Sequence, residues 1–231
     1  AKLQNKLKVN IVIDSEKIII LDFGSQYTQL IARRIREIGV YSEILSCNTS
    51  YRNIIKANPK GIIVSGGPES VNAKNTLKVD PKILESEIPV LGICYGMQLM
   101  SKHFRGLVNT SKKREFGHAE IKLNKSKLFQ DIKISSLNVW MSHGDKVTKL
   151  PKGFKKVASS KNSPIAAFEN NSIKKYGLQF HPEVTHTEKG AQILKTFVRE
   201  ICGCQTKWRP KNIVNKLVAD IKKQVGKKKV L

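Results

Sequence analysis

The chain is poor in acidic residues: among its 231 positions, 18 Asp and Glu stand against 42 Lys and Arg, a formal charge of +24. A surplus of that size raises nucleic acid or a phosphate ligand as a partner. The basic residues are spread along the whole chain, however, and aromatic residues make up only 6% of it, so few rings interleave the charges. That distribution resembles a compositional bias as much as a binding footprint, and nucleic acid is not the expected partner. No apolar run approaches the ~20 residues needed to span a bilayer. The Lys-rich start also lacks a signal-peptide cleavage pattern, so a cytoplasmic location without membrane contact is expected. Cysteine is scarce: Cys47, Cys94, Cys202 and Cys204 make no disulfide framework. Cys202-Gly203-Cys204 has no second pair within ligand spacing, and no metal site is expected. Internal repeats are absent too, which excludes solenoids.

What is present is an alternation of strand and helix. Ile18 to Phe23 is a continuous apolar run of the kind a strand shows when both its faces are buried. Gln26 to Ile38 carries Leu30, Ile31, Ile35 and Ile38 on one stripe, with Gly39 as a stop signal. Tyr41 to Leu45, Gly61 to Ser65 and Val90 to Ile93 continue the strands. Such a series calls for a mostly parallel central sheet flanked by helices, an α/β fold of three layers. The second half is smaller and richer in strands, near Val139 to Met141, Ile165 to Phe168 and Tyr176 to Phe180. A helix from about Glu188 to Ile201 closes it.

Residues 1–16 read as an N-terminal extension with a short apolar patch at Val9 to Ile13. From Trp208 on, Ile213, Val214, Leu217, Val218, Ile221 and Val225 recur at helical spacing, and Gly226 stands where a cap belongs. Residues 205–231 are therefore expected to form a connector helix, and the chain to be one part of a longer protein divided at a domain boundary.

The most informative element is Gly92-Ile93-Cys94-Tyr95-Gly96, placed between an apolar strand and Met97-Gln98-Leu99-Met100. Glycines two positions either side of a reactive residue fit the strained strand-to-helix turn of a nucleophile elbow. At a helix N-terminus, unpaired N–H groups and the helix dipole favour an anionic sulfur. Far downstream, His181-Pro182-Glu183 offers a base and a carboxylate to orient it. Two residues apart on an extended segment, both side chains point the same way.

With those residues placed, the chain resembles the class I, or triad, glutamine amidotransferases. Asp22 to Glu37, Ser65 to Val71, Met141 to Val147 and His181 to Thr187 are similar to the branch that serves GMP synthesis. Arg114-Glu115-Phe116-Gly117 also fits, with Phe in place of the commoner Tyr. The resemblance covers roughly residues 17–204 and implies a flavodoxin-like glutaminase domain that hydrolyses L-glutamine. It assigns Cys94 as nucleophile, His181 as acid and base, and Glu183 as its orienting group. It also implies an oxyanion hole from the N–H groups of Gly67 and Tyr95, and substrate contacts from Gln98 and the Ser142-His143-Gly144-Asp145 segment.

No cofactor is implied in this chain. The resemblance places ATP and Mg²⁺ in a synthetase domain of ATP-pyrophosphatase type, toward which residues 205–231 lead and where xanthosine monophosphate (XMP) is aminated. That domain's Ser-Gly-Gly-x-Asp-Ser loop is missing here, and Ser65-Gly66-Gly67-Pro68 is only a partial look-alike. The alternatives are a glutaminase for anthranilate or CTP synthesis, and a basic nucleic-acid-binding module with an inactive site.

Overall fold

The computed structural model describes residues 16–209 together with 225 and 226. The apolar patch at Val9 to Ile13 and the connector stretch from Ile213 to Ile221 lie outside the described residues. Gly226 is left-handed, with φ +59°.

Among the described residues, nine strands join in one sheet: β1 (Lys17–Asp22), β2 (Tyr41–Ser46), β3 (Gly61–Val64), β4 (Val90–Ile93), β5 (Leu107–Leu123), β6 (Ser136–Lys149), β7 (Lys155–Ser160), β8 (Ala167–Asn170) and β9 (Lys175–Leu178). Their order is β2-β1-β3-β4-β9-β8-β7-β5-β6. From β2 to β9 neighbours are parallel, and from β9 to β6 they are antiparallel. The sheet is thus parallel in its first half and strand-rich and antiparallel in its second, as the sequence suggests.

The parallel half is hydrophobic on both faces because helices cover both. Ile18, Ile20, Ile63 and Leu91 face α1 (Thr28–Ile38) and a helix formed by α5 (Gly190–Thr196) and a π-helical turn (Phe197–Ile201), meeting Ile31, Ile35, Ile193 and Phe197. Ile19, Leu21, Ile62 and Val64 face α2 (Tyr51–Lys56), α3 (Pro81–Glu85) and α4 (Tyr95–His103), meeting Ile54, Ile83, Met97 and Met100. Each of these isoleucines and leucines is fully buried, worth about 1.5–3 kcal/mol apiece. α1 ends as expected at Gly39, left-handed at φ +93°, whose N–H returns to the Ile35 and Arg36 carbonyls.

β4 and β9 sit side by side with Ile93 opposite Leu178. The residues that follow them, Cys94 on one and Gln179 to His181 on the other, therefore emerge together at the carboxyl ends of the parallel strands. This is where ligands bind in open α/β sheets.

Candidate active site

At the end of β4 the chain turns directly into α4, and the backbone strain of that turn falls on Cys94. Its φ is +51° and ψ −105°, a conformation side-chain-bearing residues rarely hold. The glycines around it answer a different need, close approach. A Cβ on Gly96 would lie 2.2 Å from the Val64 carbonyl oxygen, and one on Gly92 would lie 2.6 Å from the backbone of Gly96. α4 can start this close to β3 and β4 only without those side chains.

His181 lies against the sulfur, and the Cys94 and His181 side chains are hydrogen-bond partners. Its other ring nitrogen, Nδ1, stands 2.8 Å from Oε1 of Glu183, whose side chain is fully buried. The structure therefore brings Cys94, His181 and Glu183 together in that order. Burial opposes a charge on His181, but the Glu183 carboxylate and Cys94 outweigh it and hold the imidazole up at about 10.

The ring is fixed from several sides. Tyr27 meets it edge to face at 5.0 Å. The His181 carbonyl accepts from Thr187 Oγ1 at 2.6 Å, its N–H donates to Trp140, and Arg34 Nε on α1 donates to the Glu183 carbonyl at 3.0 Å. Arg34, Tyr27 and Thr187 escape sequence reasoning, because nothing in their local pattern says which backbone they will hold.

A cleft of about 310 Å³ opens on Cys94, lined by Gly67 to Ser70, Tyr95, Gln98, Thr110, Arg114, Phe116 and Ser142 to Asp145. All seven residues assigned to the oxyanion hole and the substrate thus wall one cavity with the nucleophile. A larger cleft of about 700 Å³ lies beyond Phe116, against His118 and Lys122. It contains no member of the Cys-His-Glu set, so the chemistry belongs to the smaller one.

Gly67 packs on the first turn of α4, with its Cβ position 3.5 Å from the Tyr95 ring. Both residues line the cleft that opens on Cys94. Gln98 is buried rather than solvated: its amide donates to the Asp145 carbonyl at 2.7 Å and reaches Gln179 at 3.3 Å. The Asp145 carboxylate accepts from Ser70, tying the Gly66-Gly67 loop to β6. The Ser142 carbonyl and the Gln179 amide lie 3.5 and 3.8 Å from the Cys94 sulfur.

Among the described residues, no cluster of three or more His, Cys, Asp or Glu could hold a metal ion, and no helix is long and apolar enough to cross a membrane.

The glutamine amidotransferase class-I family model matches residues 19–201. Glutamine-hydrolysing GMP synthases of Vibrio vulnificus (strain CMCP6) and Haemophilus influenzae (strain PittGG) are each 50% identical to the chain, over 220 and 226 residues. These alignments take in 95% of this chain and 42% and 43% of theirs, so the chain spans less than half the length of the curated relatives it matches. Among solved structures, a putative GMP synthase subunit from Thermoplasma acidophilum superposes with a TM-score of 0.70. It is 28% identical, over 87% of this chain and 97% of that one. A glutamine amidotransferase from Thermotoga maritima shares the fold at a TM-score of 0.61 and 22% identity, over 91% of this chain and 92% of its own. The family match runs from β1 through the elbow to the last helix, and with it the chain belongs to the class I glutamine amidotransferases.

Proposed function

We propose that this chain is the glutaminase part of a GMP synthase, releasing ammonia from L-glutamine for a synthetase domain that aminates adenylated XMP. The carrying observation is the buried Cys94-His181-Glu183 array opening on a cleft of amino-acid size. The proton of Cys94 passes to His181, and the sulfur attacks the carboxamide carbon. The N–H groups of Gly67 and Tyr95 receive the oxyanion; one such donor is worth roughly 10²–10³ in rate. His181 protonates the departing nitrogen as the C–N bond breaks, leaving a glutamyl thioester and ammonia. A water, deprotonated by His181, then attacks the thioester, the C–S bond breaks, and glutamate leaves with Cys94 restored. Glu183 keeps the ring oriented through both halves. Gln98 and the Ser142 to Asp145 segment hold the amino-acid end of the substrate.

Residues 17–204 form the glutaminase domain in this reading and 205–231 the connector to the synthetase domain, where ATP, Mg²⁺ and XMP bind. The enzyme works in the cytoplasm. Its assignment to GMP rather than to anthranilate or CTP rests on the 50% identity to proteins named GMP synthase.

Reconstitution tests it. With the synthetase domain of a relative, XMP, Mg²⁺ and ATP, the amide nitrogen of isotopically labelled glutamine should appear in GMP. If GMP forms from ammonium salts while the labelled amide nitrogen never reaches it, the assignment fails.

A further inference from the structure

A second buried histidine–carboxylate pair stands behind the glutamine cleft. His143 and Glu115 are 4% and 8% exposed and face each other across β6 and β5. His143 Nδ1 lies 2.9 Å from the Asp145 carbonyl, which can only accept, so Nδ1 carries a hydrogen. Its Nε2 lies 3.1 Å from Glu115 Oε2, and two lone pairs cannot meet at that distance without a proton between them. The same carboxylate accepts from Ser163 through Oε2 and from Ser160 through Oε1, at 3.3 Å for the latter. Burial lowers the His143 imidazole below its ordinary value, against the opposing pull of the Glu115 carboxylate and the Asp145 carbonyl.

We propose that Glu115 and His143 are positioning residues: by sharing one proton they lock the Ser142 to Asp145 segment into its glutamine-binding shape. The segment is also held by the β5–β6 ladder, in which Ser142, His143 and Asp145 pair with Phe116, Glu115 and Thr110. The Asp145 carbonyl takes its hydrogen bonds from His143 and Gln98, and the Asp145 carboxylate takes one from Ser70. Its other end places the Ser142 carbonyl beside the Cys94 sulfur. β5 slips register between Thr110 and Glu115, immediately before the pair. At that slip Gly144 has no ladder partner, while Ser142, His143 and Asp145 keep theirs, so the side-chain pair braces the backbone pairing where its register changes.

The inference rests on the glutaminase reading, and its test separates the two. Cys94 is alkylated with a diazoketone analogue of glutamine and, in parallel, with iodoacetamide, which needs no amino-acid subsite. Labelling is counted per folded chain. Glu115→Ala leaves the buried His143 ring unpaired and should weaken half-saturation by the analogue about tenfold or more, while the iodoacetamide rate holds. Glu115→Gln can donate its amide N–H to the unprotonated Nε2 of a neutral His143, and should restore half-saturation to within about threefold. Unchanged half-saturation in Glu115→Ala, or in Glu115→Val should the former not fold, overturns the lock. So does a Glu115→Gln variant as impaired as Glu115→Ala. A wild-type chain that the analogue does not label at Cys94 sinks the glutaminase reading itself.

Discussion

Glu183→Gln removes one charge and leaves the shape nearly intact, which makes it the sharpest probe of the His181 environment. Glu183 Oε1 sits 2.8 Å from His181 Nδ1 in a site closed to solvent, and among the described residues its Oε2 has no hydrogen-bond partner. The carboxylate therefore acts on His181 and little else. Burial is the largest influence on the His181 proton and drives it off; Glu183 and Cys94 bring the ring from 6.5 up to about 10 against it. At 1.36 kcal/mol per pH unit, that balance involves several kcal/mol. With a neutral amide in place of Glu183, the ring should titrate well below 10, and its tautomer is no longer dictated.

The loss in glutamate release should be on the order of 10²–10⁴, the range that a misoriented acid–base group forfeits. Steady-state glutamate assay gives the rate, and the imidazole C–H resonance followed against pH gives the titration. The sign for stability follows from the raised value. The ion pair contributes fully below about 6.5 and is lost as pH climbs through about 10, so the wild type should lose more stability than the variant across that window. Activity within about threefold of wild type, or a ring that still titrates near 10, would refute the reasoning.

Gly96→Ala should be poorly tolerated, because its Cβ would enter the Val64 carbonyl. Overpacking of this kind costs about 1–3 kcal/mol or more. A melting point at least ~2–4 °C lower, with slower alkylation of Cys94, is expected by calorimetry and labelling. Lys175 is fully buried, and its ammonium donates to the carbonyls of Ser86, Ile88 and Ile173, pinning the turn that enters β4. Burial lowers it from 10.5 to about 8. Between those values the unfolded chain binds the extra proton, so this lysine makes stability rise with pH from about 8 to 10.5. Compared with Lys175→Met, the wild type should gain stability over that range in denaturant titrations; parallel curves would remove Lys175 as the source.

Much of this architecture is legible in the sequence because it rests on patterns local to a segment. Ile18 to Leu21 reads as a strand buried on both faces, and all four residues are fully buried. α1 is written in its stripe and in Gly39, and the elbow in two glycines. Other elements carry no such mark. α2 and α3 span six and five residues, too short for a helical period to declare itself. β5 runs from Leu107 to Leu123 through Ser111-Lys112-Lys113-Arg114, a cationic stretch that reads as loop. β6 supplies the partners on either side of that stretch, up to Thr110 and again from Glu115. The burial of Glu115 is equally non-local: His143, Ser160 and Ser163 create the polar pocket from distant positions. Gln98 illustrates the same limit. Alone it reads as a solvated helix residue, and only the arrival of Asp145 and Gln179 turns it into an inward brace.

The most direct measurement is the mass of the chain quenched in acid during turnover of glutamine. One glutamyl group should be found on Cys94, accumulating and then decaying with glutamate release, and absent from Cys94→Ala. Glutamate released at an undiminished rate by Cys94→Ala, or an acyl group located on any other residue, would contradict the assignment of the sulfur as nucleophile.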